Sequence, residues 1–263
     1  MSNVLVTGSS RGLGLELVKQ LAARAEFRDG LVVATARKCS NELQEVITSA
    51  KCSVVFVSLD LTEEGAIALS AEKVNSALAG KSLDILINCA GVHSVTLGKL
   101  ASMSDLDYQL SVNVTGTHNV LRQFLPLMQT SNIKKVVSIS SIFGSLTLAR
   151  EVGYAPCPAY KISKAALNSL MAQYALSYED EGYIFLTVSP GVGHTLPSRS
   201  WHANRIYQWL KSDMGGQDAD LTVPQGAEAV LDLVMSASGR ENGSFKNVRV
   251  PGWEKYDGQD LPW

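Results

Sequence analysis

The stretch "NVLVTGSSRGLGLELVKQL", residues 3–21, joins a short apolar run to a helical pattern through a turn rich in glycine. Gly8, Gly12 and Gly14 permit a tight turn and let backbone N–H groups approach a bound anion. The start of the following helix favours a pyrophosphate, because its dipole is positive there. A glycine-rich turn alone is often structural, but its position between a first strand and a first helix predicts a dinucleotide-binding fold.

Further β-branched runs recur along the chain and are separated by helical patterns. They are "LVVATA" (31–36), "SVVFVSL" (53–59), "LDILIN" (83–88), "KKVVSIS" (134–140) and "YIFLTVS" (183–189). Continuous apolar strands fit a sheet that is covered on both faces, and strand–helix alternation indicates parallel strands. No linker or repeat interrupts this order. We therefore predict an α/β fold in which residues 1–263 form a single domain, a Rossmann-type doubly wound parallel sheet with helices on both faces.

Charge and cysteine usage narrow the class of protein. Lys and Arg total 23 and Asp and Glu total 25, with no long block of like charge, so nucleic acid is not a predicted partner. No apolar run approaches the roughly 20 residues of a membrane span. The scattered cysteines, at positions 39, 52, 89 and 157, include no Cys-x-x-Cys pair, and no histidine has metal-ligand spacing. These features predict reduced thiols, no metal, and a soluble cytoplasmic protein without a targeting segment.

The residues after the second and third predicted strands indicate which dinucleotide is bound, because ligands of open α/β sheets lie at the carboxyl ends of the strands. The second run is followed by Arg37, where NAD-binding proteins place an acidic residue. Arg11 in the glycine turn and Arg37 are suited to a 2′-phosphate, which predicts NADP(H) over NAD; the alternative is two solvated surface cations. Asp60 is placed to contact the adenine, or to cap a helix that begins near Thr62.

The stretch "YAPCPAYKISKAAL", residues 154–167, contains a candidate proton-transfer pair. Pro158 suits the first turn of a helix, so Tyr160 and Lys164 lie on one face while Lys161 turns away. An ammonium beside a phenol lowers the phenol pKa from about 10 towards neutrality. The spacing alone is weak evidence, since it also occurs in ordinary surface contacts.

Several motifs follow the predicted strands in a fixed order. They are "TGSSRGLG" (7–14), "NCAG" (88–91), Asn113 within "SVNVTGT", "SS" (140–141), "YKISK" (160–164) and "PG" (190–191). In order and spacing this set resembles the classical short-chain dehydrogenases/reductases, and the likeness runs from Asn3 to Trp263. The "YKISKAALN" helix and the tail "GSFKN…YDGQDLPW" resemble more narrowly the carbonyl reductases of the sniffer and C-factor type.

The resemblance implies a role for each matching residue. Tyr160 would be the general acid, Lys164 would hold the nicotinamide ribose, and Ser141 would hydrogen-bond the substrate oxygen. Asn113 would hold a water that relays protons to Lys164. Thr195 would contact the nicotinamide carboxamide. The implied cofactor-binding set is Gly8, Ser10, Arg11, Gly12, Leu13, Gly14, Arg37, Asp60, Leu61, Asn88, Ala90, Gly91, Tyr160, Lys164, Pro190, Gly191 and Thr195.

The implied activity is NADP(H)-dependent interconversion of a ketone or aldehyde and an alcohol. A segment at about 195–222 would be a substrate lid; its aromatic residues favour a bulky, weakly polar substrate, unless they simply pack on the domain. Helices around 105–130 and 158–180 would form a homodimer or homotetramer. Two alternatives remain open: an epimerase or dehydratase of a natural-product intermediate that uses the same site, and a signalling protein that binds NADP(H) without catalysis.

The chain departs from the family pattern at some positions. Cys89 stands where asparagine is usual, and Gly193 replaces a common valine. The segment between Ser141 and Tyr160 is longer than in many members and is expected to shape the substrate entrance. His93 is a possible substrate contact, whereas nothing around Cys157 indicates a reactive thiol.

Overall fold

One parallel sheet organises the protein in the computed structural model, which describes residues 2–191 and 220–263. Its seven strands have the order β3-β2-β1-β4-β5-β6-β7. They are β1 (Val4–Thr7), β2 (Leu31–Ala36), β3 (Ser53–Ser58), β4 (Ile85–Asn88), β5 (Lys135–Ile139), β6 (Ile184–Ser189) and β7 (Ser244–Asn247). The predicted doubly wound parallel sheet is confirmed, and each predicted strand is present with only slightly shifted ends.

Helices connect these strands as right-handed crossovers require. Those in the described residues are α1 (Gly12–Ala23), α2 (Asn41–Ser49), α3 (Glu64–Leu78), α4 (Leu106–Leu110), α5 (Thr117–Phe124), α6 (Pro158–Ser177) and α7 (Val223–Ser236). A π-helical turn, Ser111–Gly116, joins α4 to α5. Short 3₁₀ turns lie at Ala25–Phe27, Leu100–Ser102, Leu125–Met128, Ile142–Gly144, Glu179–Glu181 and Gly239–Glu241.

The edge strand β7 is the element that the sequence patterns missed. Its four residues, "SFKN", alternate between partly and fully buried, and Phe245 is their one large apolar side chain. Strand β7 pairs in parallel with β6, with Leu186 opposite Ser244. It therefore lacks the continuous apolar run that identifies the central strands.

Both faces of the sheet are covered by apolar helix surfaces. One core contains buried residues of α1 and α7, such as Leu17 and Val230, and also the buried Tyr256. The other contains residues of α3, α5 and α6, such as Ile67, Phe124 and Met171. This two-sided burial explains why the central strands are apolar throughout.

The strand order reverses between β1 and β4, and a crevice opens there at the carboxyl ends of the strands. The last residue of β1, Thr7, accepts hydrogen bonds at Oγ1 from the backbone N–H groups of Cys89 and Ala90, at 3.0 and 3.1 Å. Gly8 has φ +74°, and a Cβ there would lie 2.7 Å from the Ala90 Cα. The loops after β1 and β4 are thus in backbone contact at the base of the crevice.

Candidate active site

Helix α6 carries Tyr160 and Lys164 into the protein interior. The helix begins at Pro158, as predicted, and the two side chains are 3% and 4% exposed. The Lys164 Nζ lies 5.5 Å from the centroid of the Tyr160 ring and donates to the Ile139 carbonyl at 2.8 Å. Lys161 points elsewhere, since its Nζ donates to the Val152 carbonyl. The helical spacing therefore separates the two lysines as expected.

Ser141 approaches the same point from the end of β5. Its side chain accepts a hydrogen bond from the Phe143 N–H at 3.2 Å and is hydrogen-bonded to Tyr160. The turn after it presses against α6 at Gly144, where an added Cβ would lie 2.7 Å from the Lys164 carbonyl carbon. A glycine at position 144 thus permits the close approach that brings Ser141 to Tyr160.

Asn113 lies in the π-helical turn, a local irregularity that is frequent at functional sites. Its Oδ1 accepts from the Val92 N–H at 2.8 Å, and its Nδ2 lies within hydrogen-bonding distance of the Val92 carbonyl and of the Gln109 and Ser163 side chains. A Cβ at Gly91 would lie 3.2 Å from the Asn113 Oδ1 and 3.6 Å from the Lys164 Nζ. Asn113 and Lys164 thus both lie directly against Gly91.

The protonation of the Tyr160–Lys164 pair differs from the sequence-based expectation. Burial raises the pKa of Tyr160 above its usual value, and the charge that Cys157 and Cys89 carry once ionised raises it further, while the Ser141 hydrogen bond partly opposes them. The prediction that Lys164 lowers the pKa of Tyr160 is wrong here, because burial dominates and the amine is directed at the Ile139 carbonyl. Burial also lowers the pKa of Lys164 to about 8.

A cavity of about 390 Å³ occupies the crevice and reaches Ser141 and Tyr160. Most of the predicted cofactor-binding residues line it. They are Gly8, Ser10, Arg11, Gly12, Leu13, Gly14, Arg37, Asp60, Leu61, Ala90, Gly91, Tyr160, Pro190 and Gly191. One continuous cavity therefore connects the glycine turn and the ends of the first strands with Ser141 and Tyr160.

Other predicted residues lie elsewhere. Asn88 is buried beneath the cavity, where its Nδ2 donates to the Ser138 Oγ at 3.2 Å. Lys164 is buried behind the lining residues Gly91 and Tyr160. The described residues do not include Gly193, Thr195 or positions 195–219 of the predicted lid. The roles of Asn88, Lys164 and Thr195 remain predictions.

Asp60 lines the cavity beside Arg37, at its far end from Tyr160. Its Oδ1 accepts from the Thr62 N–H at 3.0 Å and from the Thr62 hydroxyl at 2.8 Å, and these hydrogen bonds lower the pKa of the carboxyl, with a smaller contribution from Arg37. Helix α3 begins only at Glu64. The prediction that Asp60 caps a helix starting near Thr62 is therefore wrong, because Asp60 closes the turn that precedes the helix.

Sequence reasoning missed some of the residues that line the cavity. Thr7, Tyr108 and Val112 also line the cavity. Thr7 had a readable signal, as the last strand residue before the glycine turn, whereas Tyr108 reaches the cavity only through the packing of α4. His93 packs edge-on against Tyr160, with ring centroids 5.0 Å apart. Its predicted contact with substrate remains a prediction.

In residues 2–191 and 220–263, no cluster of three or more His, Cys, Asp or Glu side chains is arranged to hold a metal ion. No helix in this part of the chain is long and apolar enough to span a membrane. The cavity is thus the candidate site that the chemistry of the described residues supports.

The doubly wound sheet defines a Rossmann-type α/β protein, and the Ser141–Tyr160–Lys164–Asn113 group beside its crevice is a candidate acid–base site. Residues 2–205 match the family model described as short chain dehydrogenase. The chain belongs to the short-chain dehydrogenase/reductase family, as its motifs predicted.

Known relatives agree with this assignment. A short-chain dehydrogenase/reductase of Arthrinium sp is 29% identical over 261 residues, which cover 92% of this chain and 96% of the relative. The NADPH-bound carbonyl reductase from chicken fatty liver is 26% identical with a TM-score of 0.84, over 100% of this chain and 94% of that chain. The Drosophila melanogaster carbonyl reductase Sniffer, at 23% identity and TM-score 0.82 over the full length of both chains, shares the fold. The predicted likeness to sniffer-type proteins is confirmed.

The cysteines beside Tyr160 are expected to react slowly with alkylating agents. The thiolate is the reactive form, and burial raises the pKa of Cys89 to about 12 and that of Cys157 to about 11. At pH 8 both thiols are almost wholly protonated; Cys157 is buried, whereas Cys89 and Cys39 are both partly exposed. Iodoacetamide should modify Cys39 faster than Cys89 and Cys157, by peptide mass spectrometry, because each pKa unit above the pH lowers the thiolate fraction of these two cysteines tenfold.

The raised pKa values of Cys89 and Cys157 also determine how the alkylation rate changes with pH. Alkylation of Cys89 should accelerate steadily as the pH rises towards its pKa. Equal rates for Cys39 and Cys89 at pH 8 would contradict the protonation state derived for this part of the site.

Proposed function

We propose that the protein is an NADP(H)-dependent oxidoreductase that interconverts a ketone or aldehyde and an alcohol by hydride transfer. The observation that carries the proposal is the hydrogen-bonded Ser141–Tyr160 pair at the inner end of a cavity that begins at the glycine turn. The similarity to the NADPH-bound carbonyl reductase of chicken supports it.

The residues around the cavity fit a dinucleotide. Two glycines in and after the turn before α1 have no room for a side chain, since a Cβ at Gly8 would overlap Ala90 and one at Gly14, in the first turn of α1, would overlap the Gly8 carbonyl. We propose that this turn and the first N–H groups of α1 hold the pyrophosphate. Asp60 and Leu61 would hold the adenine end, and Gly91 and Pro190 would lie along the nicotinamide half.

The chemistry follows from the protonation state of Tyr160. When bound, NADPH supplies the hydride to the carbonyl carbon. Tyr160 is protonated at neutral pH, as tyrosine is in water, and burial raises its pKa further; it can give its proton to the carbonyl oxygen as the negative charge develops. Ser141 would hydrogen-bond the same oxygen, and Lys164 would hold the nicotinamide ribose.

The preference for NADP(H) over NAD(H) is proposed from the cations at the far end of the cavity. Arg11 and Arg37 both line it, at the N-terminus of α1 and at the end of β2. Guanidinium groups form charge-assisted bidentate hydrogen bonds with phosphate, so the two would bind a 2′-phosphate that NAD lacks.

A bulky, weakly polar substrate is proposed from the segments that flank the site. Leu97, Leu146 and Tyr154 are 80%, 77% and 51% exposed. The segment that contains Leu97 is joined to the segment that contains Tyr154 by a hydrogen bond from the Thr96 N–H to the Pro156 carbonyl at 2.8 Å. Exposed apolar side chains beside a polar reaction centre favour a substrate whose non-reacting part is apolar.

We also propose a cytoplasmic homodimer or homotetramer. Helix α6 exposes Ile162 (40%) and Leu176 (67%), which supports burial of its outer surface against another copy. The four cysteines are unpaired, which suits a reducing compartment. Light scattering would measure the assembly, and a monomer would contradict this part of the proposal.

Tyr160→Phe should abolish carbonyl reduction while preserving cofactor binding. The substitution removes the acidic proton but keeps the packed ring, so kcat should fall at least about 100-fold. The assay follows NADPH oxidation with a panel of bulky aromatic and aliphatic ketones, and fluorescence titration follows NADPH binding. Tyr178→Phe, at the far end of α6, is the matched control and should retain activity.

The same assay separates the alternative activities. Full activity of the Tyr160→Phe variant would contradict the proposed acid. Substrate conversion without net NADPH turnover would favour an epimerase or dehydratase, and tight NADPH binding without conversion of any substrate would favour a signalling protein.

Arg37→Ala should change cofactor preference. Loss of charge-assisted hydrogen bonds worth about 1.5–3 kcal/mol should raise the KM for NADPH about 10- to 100-fold and leave the KM for NADH nearly unchanged. Lys38→Ala removes the adjacent cation, which does not belong to the described lining of the cavity, and serves as the control. An equal rise of both KM values in Arg37→Ala would argue against a 2′-phosphate site.

A further inference from the structure

The residues between Ser141 and Tyr160 determine how these two side chains meet. Residues 142–157, the connecting segment, begin with the 3₁₀ turn Ile142–Gly144 and continue as turns up to α6. The hydrogen bonds within this segment, such as those from the Ser145 N–H to the Ile142 carbonyl and from the Ala155 N–H to the Val152 carbonyl, close local turns and do not attach the segment to the rest of the chain. Its position must therefore be set by contacts with other parts of the chain.

Residues 260–263, the anchor segment, supply such contacts from more than a hundred positions away. The Ser145 hydroxyl donates to the Pro262 carbonyl at 2.6 Å. Thr147 donates twice to the Trp263 carbonyl, from its N–H at 2.9 Å and its hydroxyl at 2.6 Å. Ser145 is 2% exposed, so its hydrogen bond is shielded from competing water.

Apolar packing reinforces these hydrogen bonds. Leu261 packs against a buried cluster that belongs to the connecting segment and to the start of α6. That cluster consists of Ile142, Phe143, Val152, Ala155, Cys157 and Tyr160. The anchor segment thus contacts the same small core that contains the candidate general acid.

The anchor segment is itself fixed to the edge of the sheet. Asp260 forms an ion pair with Lys246 at 2.7 Å, and the Leu261 N–H donates to the Phe245 carbonyl at 2.7 Å. The Trp263 ring lies on Phe245, with centroids 5.6 Å apart. Strand β7 therefore provides a rigid base, and the anchor segment connects that base to the connecting segment.

We propose that the anchor segment, through Ser145 and Thr147, positions Ser141 and Tyr160 for catalysis. This inference rests on the proposed reductase function. Ser145 follows directly on the turn Ile142–Gly144, whose Phe143 N–H donates to the Ser141 side chain, so movement of this turn displaces Ser141. The anchor segment contributes no residue to the described lining of the cavity, so it acts on geometry and not on cofactor binding.

The test uses point variants of the full chain. Ser145→Ala removes the hydroxyl donor to Pro262, and Trp263→Ala removes the ring that rests on Phe245. Each should lower kcat for carbonyl reduction about 10- to 100-fold, as small misplacements of reacting groups do, while the dissociation constant for NADPH stays within about twofold of wild type. Expressing kcat per NADPH-binding site corrects for any unfolded fraction.

Matched variants control for a merely structural effect. Ser244→Ala also removes a partly buried hydroxyl, one that donates to the Glu241 carbonyl at 2.7 Å, and should leave kcat unchanged. Trp263→Phe keeps an aromatic ring on Phe245 and should restore most of the kcat lost in Trp263→Ala. Hydrogen exchange should increase in peptides covering residues 142–157 of Ser145→Ala and Trp263→Ala and remain unchanged around α1.

The outcomes separate this inference from the proposed function. A wild-type protein that reduces no carbonyl compound would contradict the reductase proposal. An active wild type with unchanged kcat in both Ser145→Ala and Trp263→Ala would overturn the positioning role. A fall in kcat with an equal loss of NADPH binding would also overturn it, because general destabilisation would then explain the effect.

Discussion

The close approach of two backbones at the carboxyl ends of β1 and β4 is the constraint on which the rest of the site depends. Gly8 contacts Ala90 at a distance that no side chain would permit, and Thr7 holds the N–H groups of the second loop. Arg11, Gly12 and Leu13, at the start of α1, line the cavity next to this contact. Under the proposed function, the glycine turn would determine where the pyrophosphate binds.

A second close approach, between Gly144 and the backbone of α6, converts this binding crevice into a candidate reaction centre. It brings Ser141 into hydrogen-bonding contact with Tyr160 in an interior from which water is largely excluded. Burial favours the neutral form of both Tyr160 and Lys164, so it raises the pKa of the phenol and lowers the pKa of the amine. The pKa of Lys164, about 8, leaves its charge sensitive to whatever occupies the cavity.

The sequence predicted those parts of the molecule that depend on local pattern. The central strands are continuous apolar runs because both faces are covered, and the four-residue spacing placed Tyr160 and Lys164 on one helix face. Strand β7 was not predicted, because pairing with β6 alone defines it. The pKa direction of Tyr160 was also missed, since it depends on burial and on Cys157 and Cys89, which are brought together by the fold.

The loops around the cavity are held in different ways. Under the proposed function the loops after β1 to β4, with the glycine turn, would hold the cofactor, and they are fixed by backbone contacts such as that of Gly8. Under the proposed function the connecting segment after β5 would face the substrate; the backbone contact at Gly144 fixes its start, and side-chain hydrogen bonds hold it further along, at Ser145 and Thr147. Backbone contacts tolerate little variation, whereas side-chain contacts can be exchanged. Under the proposed function, substrate range would therefore change through the connecting segment beyond Gly144 while the cofactor part stays constant.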